Sequence, residues 1–182
     1  MPIAVATPRP ETGAPGQILL GEAFASLPVN VRRGQLAPLA AEGTVDVEHG
    51  GGWLTPWMIR LMKLPGAGRE QRVRLDVRPV GADVEWTRRI GSSVLTTRQR
   101  AMGGLLIERN GIGSVAFGLH VEDGTLLYRQ MSMHVAGVPI PAWVSPRVSA
   151  RVSSAAAGWR VEVAVTWRDR LVCRYAGCLE PV

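Results

Sequence analysis

The sequence predicts a mainly β protein: a curved, calycin-like antiparallel β-barrel of about nine strands with one or two short helices capping it. After Gly68, apolar and polar residues alternate through short runs that glycine and Asp-Gly turns separate. The βαβ alternation typical of parallel sheets does not occur. A flat sheet of this many strands would expose its edges and leave one apolar face uncovered, so closure is favoured.

Length and composition predict one domain. The chain has 182 residues, of which 46% are hydrophobic, enough for a core without disulfides. Residues 1–17 are rich in proline, alanine and glycine and predict a flexible tail, whereas residues 18–182 form the barrel domain. The tail lacks the pattern of a signal peptide, and no apolar run is long enough to span a membrane, so we expect a cytoplasmic location.

The cysteines argue against a disulfide between them, and the distribution of charge argues against a nucleic-acid-binding protein. Cys173 and Cys178 lie five apart on one predicted strand, on opposite faces, and therefore cannot bridge each other. The net charge is +6, and Lys63 is the only lysine among 21 basic residues. Because the arginines are spread along strands rather than clustered with stacking aromatics, we expect no nucleic-acid partner.

Two helices precede the main run of strands. Residues 18–27 have helical spacing and stop before Pro28, whereas residues 28–41 are expected to be irregular. A first strand is predicted at about residues 44–49. The clearest helix has Thr55 as its N-cap and Pro56 at its first position, and it runs to about Lys63. This helix is apolar on most sides, which suggests a plug or lid that includes Trp57.

The strand Val84–Ile90 is the most informative stretch. A hairpin turning at Gly81-Ala82 places Arg88 opposite Leu75, with apolar neighbours on the same face. Arg88 is then either a ligand anchor for a carboxylate, enolate or phosphate, or half of a structural ion pair with another element. The neighbouring Trp86 is expected at the rim of a pocket.

A second hairpin turns at Asp123-Gly124. Pairing Glu122 with Thr125 predicts a face with an apolar wall on one strand and polar groups on the other. The predicted opposing pairs on this face are Leu119/Tyr128, Phe117/Gln130, Val115/Ser132 and Gly113/His134. A few polar groups facing an apolar wall are typical of a ligand pocket, although a one-residue shift would turn them to solvent.

The pattern of the last strands predicts that they form part of the hydrophobic core. Residues 137–146 form a proline-rich connection across a barrel end or an edge. A turn at residues 168–170 predicts the apolar pairs Trp167/Leu171, Val165/Cys173, Val163/Tyr175 and Val161/Gly177. Glu108-Arg109 is expected to be a surface or edge ion pair at a strand end.

These patterns assign candidate roles. Arg88, His134 and Tyr128 are the candidate catalytic residues, since arginine stabilises negative charge and histidine and tyrosine transfer protons. The candidate substrate-binding residues are Trp86, Phe117, Leu119, Gln130, Ser132 and Trp57. No histidine pair or Cys/His cluster has metal-ligand spacing, so no metal and no cofactor is expected.

An ordered set of short motifs resembles a known family: Leu27-Pro28, Val31-Arg32-Arg33, Glu85-Trp86-Thr87-Arg88, Leu106-Ile107-Glu108-Arg109, Gly137-Val138-Pro139-Ile140-Pro141 and Arg174-Tyr175-Ala176-Gly177 with Leu179-Glu180-Pro181. The family is the bacterial domain of unknown function 4166, and the likeness covers about residues 27–181. It implies a β-rich domain, standing alone or fused behind a saccharopine-dehydrogenase-like oxidoreductase domain. The family usually has histidine after the Arg-Arg pair, where this chain has Gly34.

Two hypotheses of different classes follow. The first is a barrel that binds a hydrophobic or polycyclic small molecule and acts as a cofactor-independent cyclase, isomerase or dehydratase in secondary metabolism. The alternative is a non-catalytic carrier of a lipophilic ligand, or an accessory domain of an oxidoreductase. A homodimer is compatible with either.

Overall fold

The computed structural model describes residues 14–182. Four short helices are present: α1 (Pro15–Leu20), α2 (Glu22–Ala25), α3 (Val29–Arg33) and α4 (Thr55–Met62). The first two replace the single helix predicted at residues 18–27, because Gly21 adopts a positive φ of 52° and interrupts it. The predicted tail is ordered from residue 14 onward, and its residues 1–13 lie outside the described part of the chain.

Eleven strands follow: β1 (Leu39–His49), β2 (Gly68–Val80), β3 (Asp83–Ile90), β4 (Ser93–Met102), β5 (Leu105–Asn110), β6 (Gly113–Glu122), β7 (Thr125–Val135), β8 (Val138–Pro139), β9 (Arg147–Ser154), β10 (Trp159–Trp167) and β11 (Arg170–Pro181). Each strand pairs antiparallel with its sequence neighbour, except that β9 bypasses the two-residue β8 to pair with β7. β1 pairs with β11 and closes the sheet. The barrel predicted from the sequence is confirmed, with ten strands in its wall rather than about nine.

The predicted registers hold where a short turn sets them. In β2–β3 every predicted pair is present, including Leu75 opposite Arg88. In β10–β11, Val165 faces Cys173 as predicted, but a β-bulge beyond this pair places Trp167 opposite Arg170 instead of Leu171. Cys173 is buried and Cys178 exposed, both as free thiols, and burial raises the pKa of Cys173 to about 11.

The N-terminal helices close one end of the barrel. Asn30 in α3 donates to the carbonyl of Ala155 in the β9–β10 turn at 2.9 Å, and Pro28 lies against Gly124 in the β6–β7 turn. Phe24, Leu27 and Val31 are buried in the core at this end. We call it the closed end.

The opposite end carries α4, the turns at Gly91-Ser92, Gly111-Ile112 and Arg168-Asp169, and the connection from Ala136 to Pro146. Strand polarity places all of these together, because each successive antiparallel strand reverses direction. We call this the open end.

Candidate functional site

The barrel encloses a cavity of about 630 Å³. At roughly 30 Å³ for a molecule of liquid water, this space equals about 20 waters, far more than a packing defect. Its wall is largely aliphatic and aromatic, with contributions from most strands of the barrel. Volumes of about 300–1,000 Å³ with mainly apolar walls are typical of sites for small organic molecules.

The cavity opens at the open end. The exposed residues of its lining lie there: Trp57, Leu61, Ile112, Val135 and Val144. At the closed end the lining is buried, and it includes Gly34, Gln35, Trp159 and Leu179. A Cβ at Gly34 would lie 2.9 Å from the Trp159 ring. The family that the sequence resembles usually has a histidine at this position, and that side chain would require Trp159 to shift.

A polar cluster interrupts the apolar wall. Arg88 Nη1 lies 3.2 Å from Glu108 Oε1 and donates to Thr97 Oγ1 at 3.0 Å. The second carboxylate oxygen of Glu108 accepts a hydrogen bond from Gln99 Nε2 at 3.0 Å. Three adjacent strands, β3, β4 and β5, therefore supply one connected network within the barrel. We call Arg88, Thr97, Gln99 and Glu108 the polar cluster.

The ion pair is largely withdrawn from solvent. Both side chains are 19% exposed, and both line the cavity. Burial acts to lower the pKa of Arg88, but Glu108 and the nearby Tyr175 and Tyr128 outweigh it and raise the pKa, so Arg88 stays charged. Its guanidinium also lies 5.3 Å from the centroid of the Trp86 ring, a cation–π contact.

Both tyrosines of the chain lie in this interior. Burial is the main cause that raises the pKa of the Tyr128 phenol well above its ordinary value, and Glu108 raises it further. Burial likewise raises the pKa of Tyr175 to about 12. Tyr128 donates to Gln35 Oε1 at 2.6 Å, whereas Tyr175 makes no side-chain hydrogen bond within the described residues. Both phenols are therefore protonated at neutral pH, and Tyr175 is left free to bond a ligand.

The predicted polar face of β7 is divided by a β-bulge. Tyr128 faces Leu119 and Gln130 faces Phe117, as predicted. Beyond Phe117 the register shifts, so Ser132 faces Ala116 and His134 faces Ser114, and the predicted pairs with Val115 and Gly113 are wrong. Ser132 does not line the cavity, and His134 reaches only its edge at the open end. His134 is therefore not brought into the network of Arg88.

Gln130 has a structural role. Its amide nitrogen donates to Ser145 Oγ and to the Pro146 carbonyl, and its oxygen accepts from the Val148 N–H at 2.8 Å. These bonds fix the proline-rich connection, which lies at the open end and joins β7 to its paired neighbour β9. Gln130 does not line the cavity.

The remaining predicted binding residues differ in whether they line the cavity. Trp86, Phe117 and Trp57 line the cavity, whereas Leu119 packs against the core. Phe117 meets Tyr128 edge to face, with ring centroids 6.1 Å apart. The buried indole nitrogen of Trp86 has no hydrogen-bond partner in the described residues, an arrangement that costs about 1–3 kcal/mol.

Sequence reasoning missed several members of the site. Glu108 was expected in a surface pair with Arg109, but it points into the barrel and binds Arg88, so that expectation is wrong. The signal was present, because the Gly103-Gly104 turn sets Gln99 opposite Glu108. Gln35 carried no such signal, since it reaches Tyr128 from outside the hairpins.

Residues 14–182 contain neither a metal-binding cluster nor a membrane-spanning helix. No group of three or more His, Cys, Asp or Glu side chains is arranged there to hold a metal ion. None of the helices in this range has the length and apolar character needed to cross a membrane.

The comparisons with known proteins agree with the motifs. No curated protein and no solved structure matches the chain significantly. A family model described as Domain of unknown function (DUF4166) matches residues 31–179. That match includes all or most of every strand of the barrel and every residue of the polar cluster, and the chain belongs to the DUF4166 family.

Proposed function

We propose that the barrel binds one predominantly apolar organic molecule in its cavity and that the bound molecule carries an uncharged polar group. The observation that carries the proposal is the 630 Å³ apolar cavity with a single charge-balanced polar cluster in its wall. The apolar wall favours an aliphatic or polycyclic body. The hydroxyl of Thr97, the amide of Gln99 and the phenol of Tyr175 are suited to a hydroxyl or carbonyl group.

The charge balance argues against a charged ligand. Glu108 already compensates Arg88, and the two neighbouring phenols stay neutral. A ligand carboxylate would meet Glu108, and a ligand amine would meet Arg88, in surroundings where an uncompensated charge is costly. An uncharged polar group can bond to the cluster without disturbing the ion pair.

A binding experiment tests the proposal. N-phenylnaphthylamine, an uncharged apolar fluorophore, serves as the probe, and straight-chain alcohol, carboxylate and amine competitors of equal length displace it. We expect the alcohol to compete about tenfold or more better than either charged analogue. Absence of any probe binding would contradict ligand binding itself, whereas equal competition would contradict only the uncharged class.

Two substitution pairs locate the effect. Leu95→Trp fills the cavity and should abolish probe binding, whereas Val94→Trp adds the same group on the outer face and should not. Glu108→Gln leaves Arg88 uncompensated and should shift preference toward the carboxylate. Glu85→Gln, which alters an outward carboxylate bound by Arg78 and Arg98, should leave the preference unchanged. Retained binding in Leu95→Trp would place the ligand elsewhere.

A cofactor-independent isomerisation, cyclisation or dehydration is the second candidate function. The polar cluster supports it by placing a carboxylate and a guanidinium near two protonated phenols, a set that can accept and donate protons. In this scheme Arg88 stabilises developing negative charge, Glu108 accepts a proton and Tyr128 or Tyr175 donates one. His134 lies at the edge of the cavity, away from these groups, and takes no part in this scheme.

Deuterium exchange separates this candidate from a carrier or accessory domain. The protein with its co-purifying ligand is incubated in D₂O, and the mass of the ligand is measured by mass spectrometry. A proton-transfer enzyme should incorporate deuterium at carbon, and Tyr175→Phe should reduce the rate while the ligand stays bound. A ligand that gains no carbon-bound deuterium would favour the carrier.

A further inference from the structure

The open end carries an exposed apolar surface that extends beyond the lining of the cavity. Eight large hydrophobic side chains lie there in contact with solvent, and we call them the apolar ring: Trp53, Trp57, Leu61, Ile112, Val135, Val138, Trp143 and Val144. Trp53 is 88% exposed and Trp143 71%, and neither lines the cavity. Clustered exposed apolar residues of this size mark an interaction surface.

The ring is accompanied by positive charge. Six basic residues lie on the segments of the open end or at the strand termini that meet it: Arg60, Lys63, Arg69, Arg147, Arg168 and Arg170. Three acids, Glu48, Glu70 and Asp169, lie at comparable positions, and Arg109 at the end of β5 adds a seventh basic residue, which leaves an excess of four positive charges. None of the six basic residues has an ion pair within residues 14–182, whereas arginines on the barrel wall such as Arg74 and Arg89 do.

We propose that the open end docks onto an anionic phospholipid membrane, with the apolar ring in the interfacial region and the basic residues against the headgroups. Tryptophan prefers the boundary between headgroups and acyl chains because its ring is amphipathic. Each unpaired basic residue near an anionic membrane surface adds to the attraction, and several of them together are enough to decide whether the protein binds. Three of the six tryptophans, Trp53, Trp57 and Trp143, belong to the ring.

The position of the cavity mouth supports a membrane over a protein partner. Trp57, Ile112 and Val144 belong to the ring and also line the cavity, so the entrance lies at the centre of the docking surface. A docked barrel would face its entrance to the acyl chains, and an apolar ligand would enter without crossing water. The docking surface itself does not depend on the ligand proposed above.

Vesicle flotation of the whole chain tests the proposal. We expect binding to vesicles of phosphatidylcholine and phosphatidylglycerol in equal amounts, and much weaker binding to phosphatidylcholine alone. Trp53→Ser with Trp143→Ser should remove most of the binding while the cavity still takes up N-phenylnaphthylamine. Val29→Ser, which alters an equally exposed residue at the closed end, should have no effect.

Two charge-reversal double variants test the contribution of the basic residues. Arg60→Glu with Lys63→Glu should weaken binding to anionic vesicles by about tenfold or more. Arg33→Glu with Arg151→Glu makes the same change of net charge away from the open end and should weaken it far less. No binding to anionic vesicles, or equal losses in both charge pairs, would overturn the proposal. A concentration-dependent dimer that Trp53→Ser with Trp143→Ser dissociates would also overturn it, in favour of a second copy of the chain on this face.

Discussion

At the scale of single residues, the ion pair of Arg88 and Glu108 decides the character of the interior. An arginine in an apolar wall is costly unless a partner and further hydrogen bonds compensate it. Here Glu108, Thr97 and Gln99 supply that compensation from two neighbouring strands. The same arrangement holds Arg88 in one place, which makes it a fixed element of the cavity wall.

A double-mutant cycle measures this coupling. Arg88→Met, Glu108→Gln and the double variant are compared with the parent chain by urea unfolding. We expect a coupling free energy of about 1–3 kcal/mol, because each single change leaves the other group uncompensated in the barrel. The exposed pair Arg74 and Glu42 is the matched control, with an expected coupling of roughly 0.5 kcal/mol or less. Equal coupling in the two cycles would contradict the compensation argument.

The two tyrosines make a pH prediction. Since the chain holds only Tyr128 and Tyr175, tyrosinate absorbance reports the barrel interior alone. Folded-state pKa values raised above the ordinary 10.0 mean that the protonated phenols favour folding. Their contribution is complete below pH 10 and falls as the pH rises through about 12, the pKa of Tyr175. Tyrosinate that forms near pH 10 in folded protein would show that the phenols are solvated.

At the scale of elements, the β-bulge in β7 changes which side chains of the strand line the cavity: Tyr128 before the bulge, and Met133 and Val135 beyond it. Ser132, beyond the bulge, does not line the cavity, and His134 reaches only the edge of the cavity. Between Tyr128 and Ser132, Gln130 turns its amide to the connection at the open end. One strand thereby positions a site residue and also anchors the loop beside the entrance.

Replacing this anchor should loosen the loop. Gln130→Leu removes three hydrogen bonds and leaves the Val148 N–H and the Pro146 carbonyl without this partner. We expect about 2–3 kcal/mol of lost stability and faster hydrogen exchange at residues 140–148. Ser132→Ala, two residues along the strand, makes no comparable loss and serves as control. Unchanged exchange in the loop would contradict the anchoring role.

At the scale of the whole molecule, the barrel encloses an apolar space of about 630 Å³, within the size range of small-molecule sites. A ligand that fills it should stabilise the folded state, by about 2.7 kcal/mol at a free concentration of 100 times its Kd. We therefore expect protein stripped of co-purifying molecules to melt at a lower temperature than protein as isolated, with recovery on adding N-phenylnaphthylamine. The cavity-filled Leu95→Trp variant should show no such recovery. Identical melting of stripped, isolated and reloaded protein would argue against occupancy of the cavity.

Sequence reasoning predicted the fold well and the site unevenly, for physical reasons. Two-residue turns set local registers, so the pairing around Gly81-Ala82 and the inward position of Arg88 were accessible. The bulges near Met131 and Thr166 follow from barrel curvature, which no local pattern encodes. The partner of Arg88 required the registers of two successive hairpins to be combined, and Gln35 required the packing of the N-terminal segment against the barrel.

The closure of β1 on β11 has a consequence for how the chain folds. Every other neighbouring pair in the wall joins strands that are near in sequence, with at most the α4 segment (residues 50–67) between them, so those contacts form with much less loop-closure entropy than the seam. The seam joins residues near opposite ends of the described chain and is packed backbone to backbone, since a Cβ at Gly43 or Gly177 would lie 1.9 Å from a carbonyl oxygen of the facing strand. Hairpins should therefore assemble first and the seam last. Changes at either glycine should accelerate unfolding while leaving the refolding rate nearly unaltered.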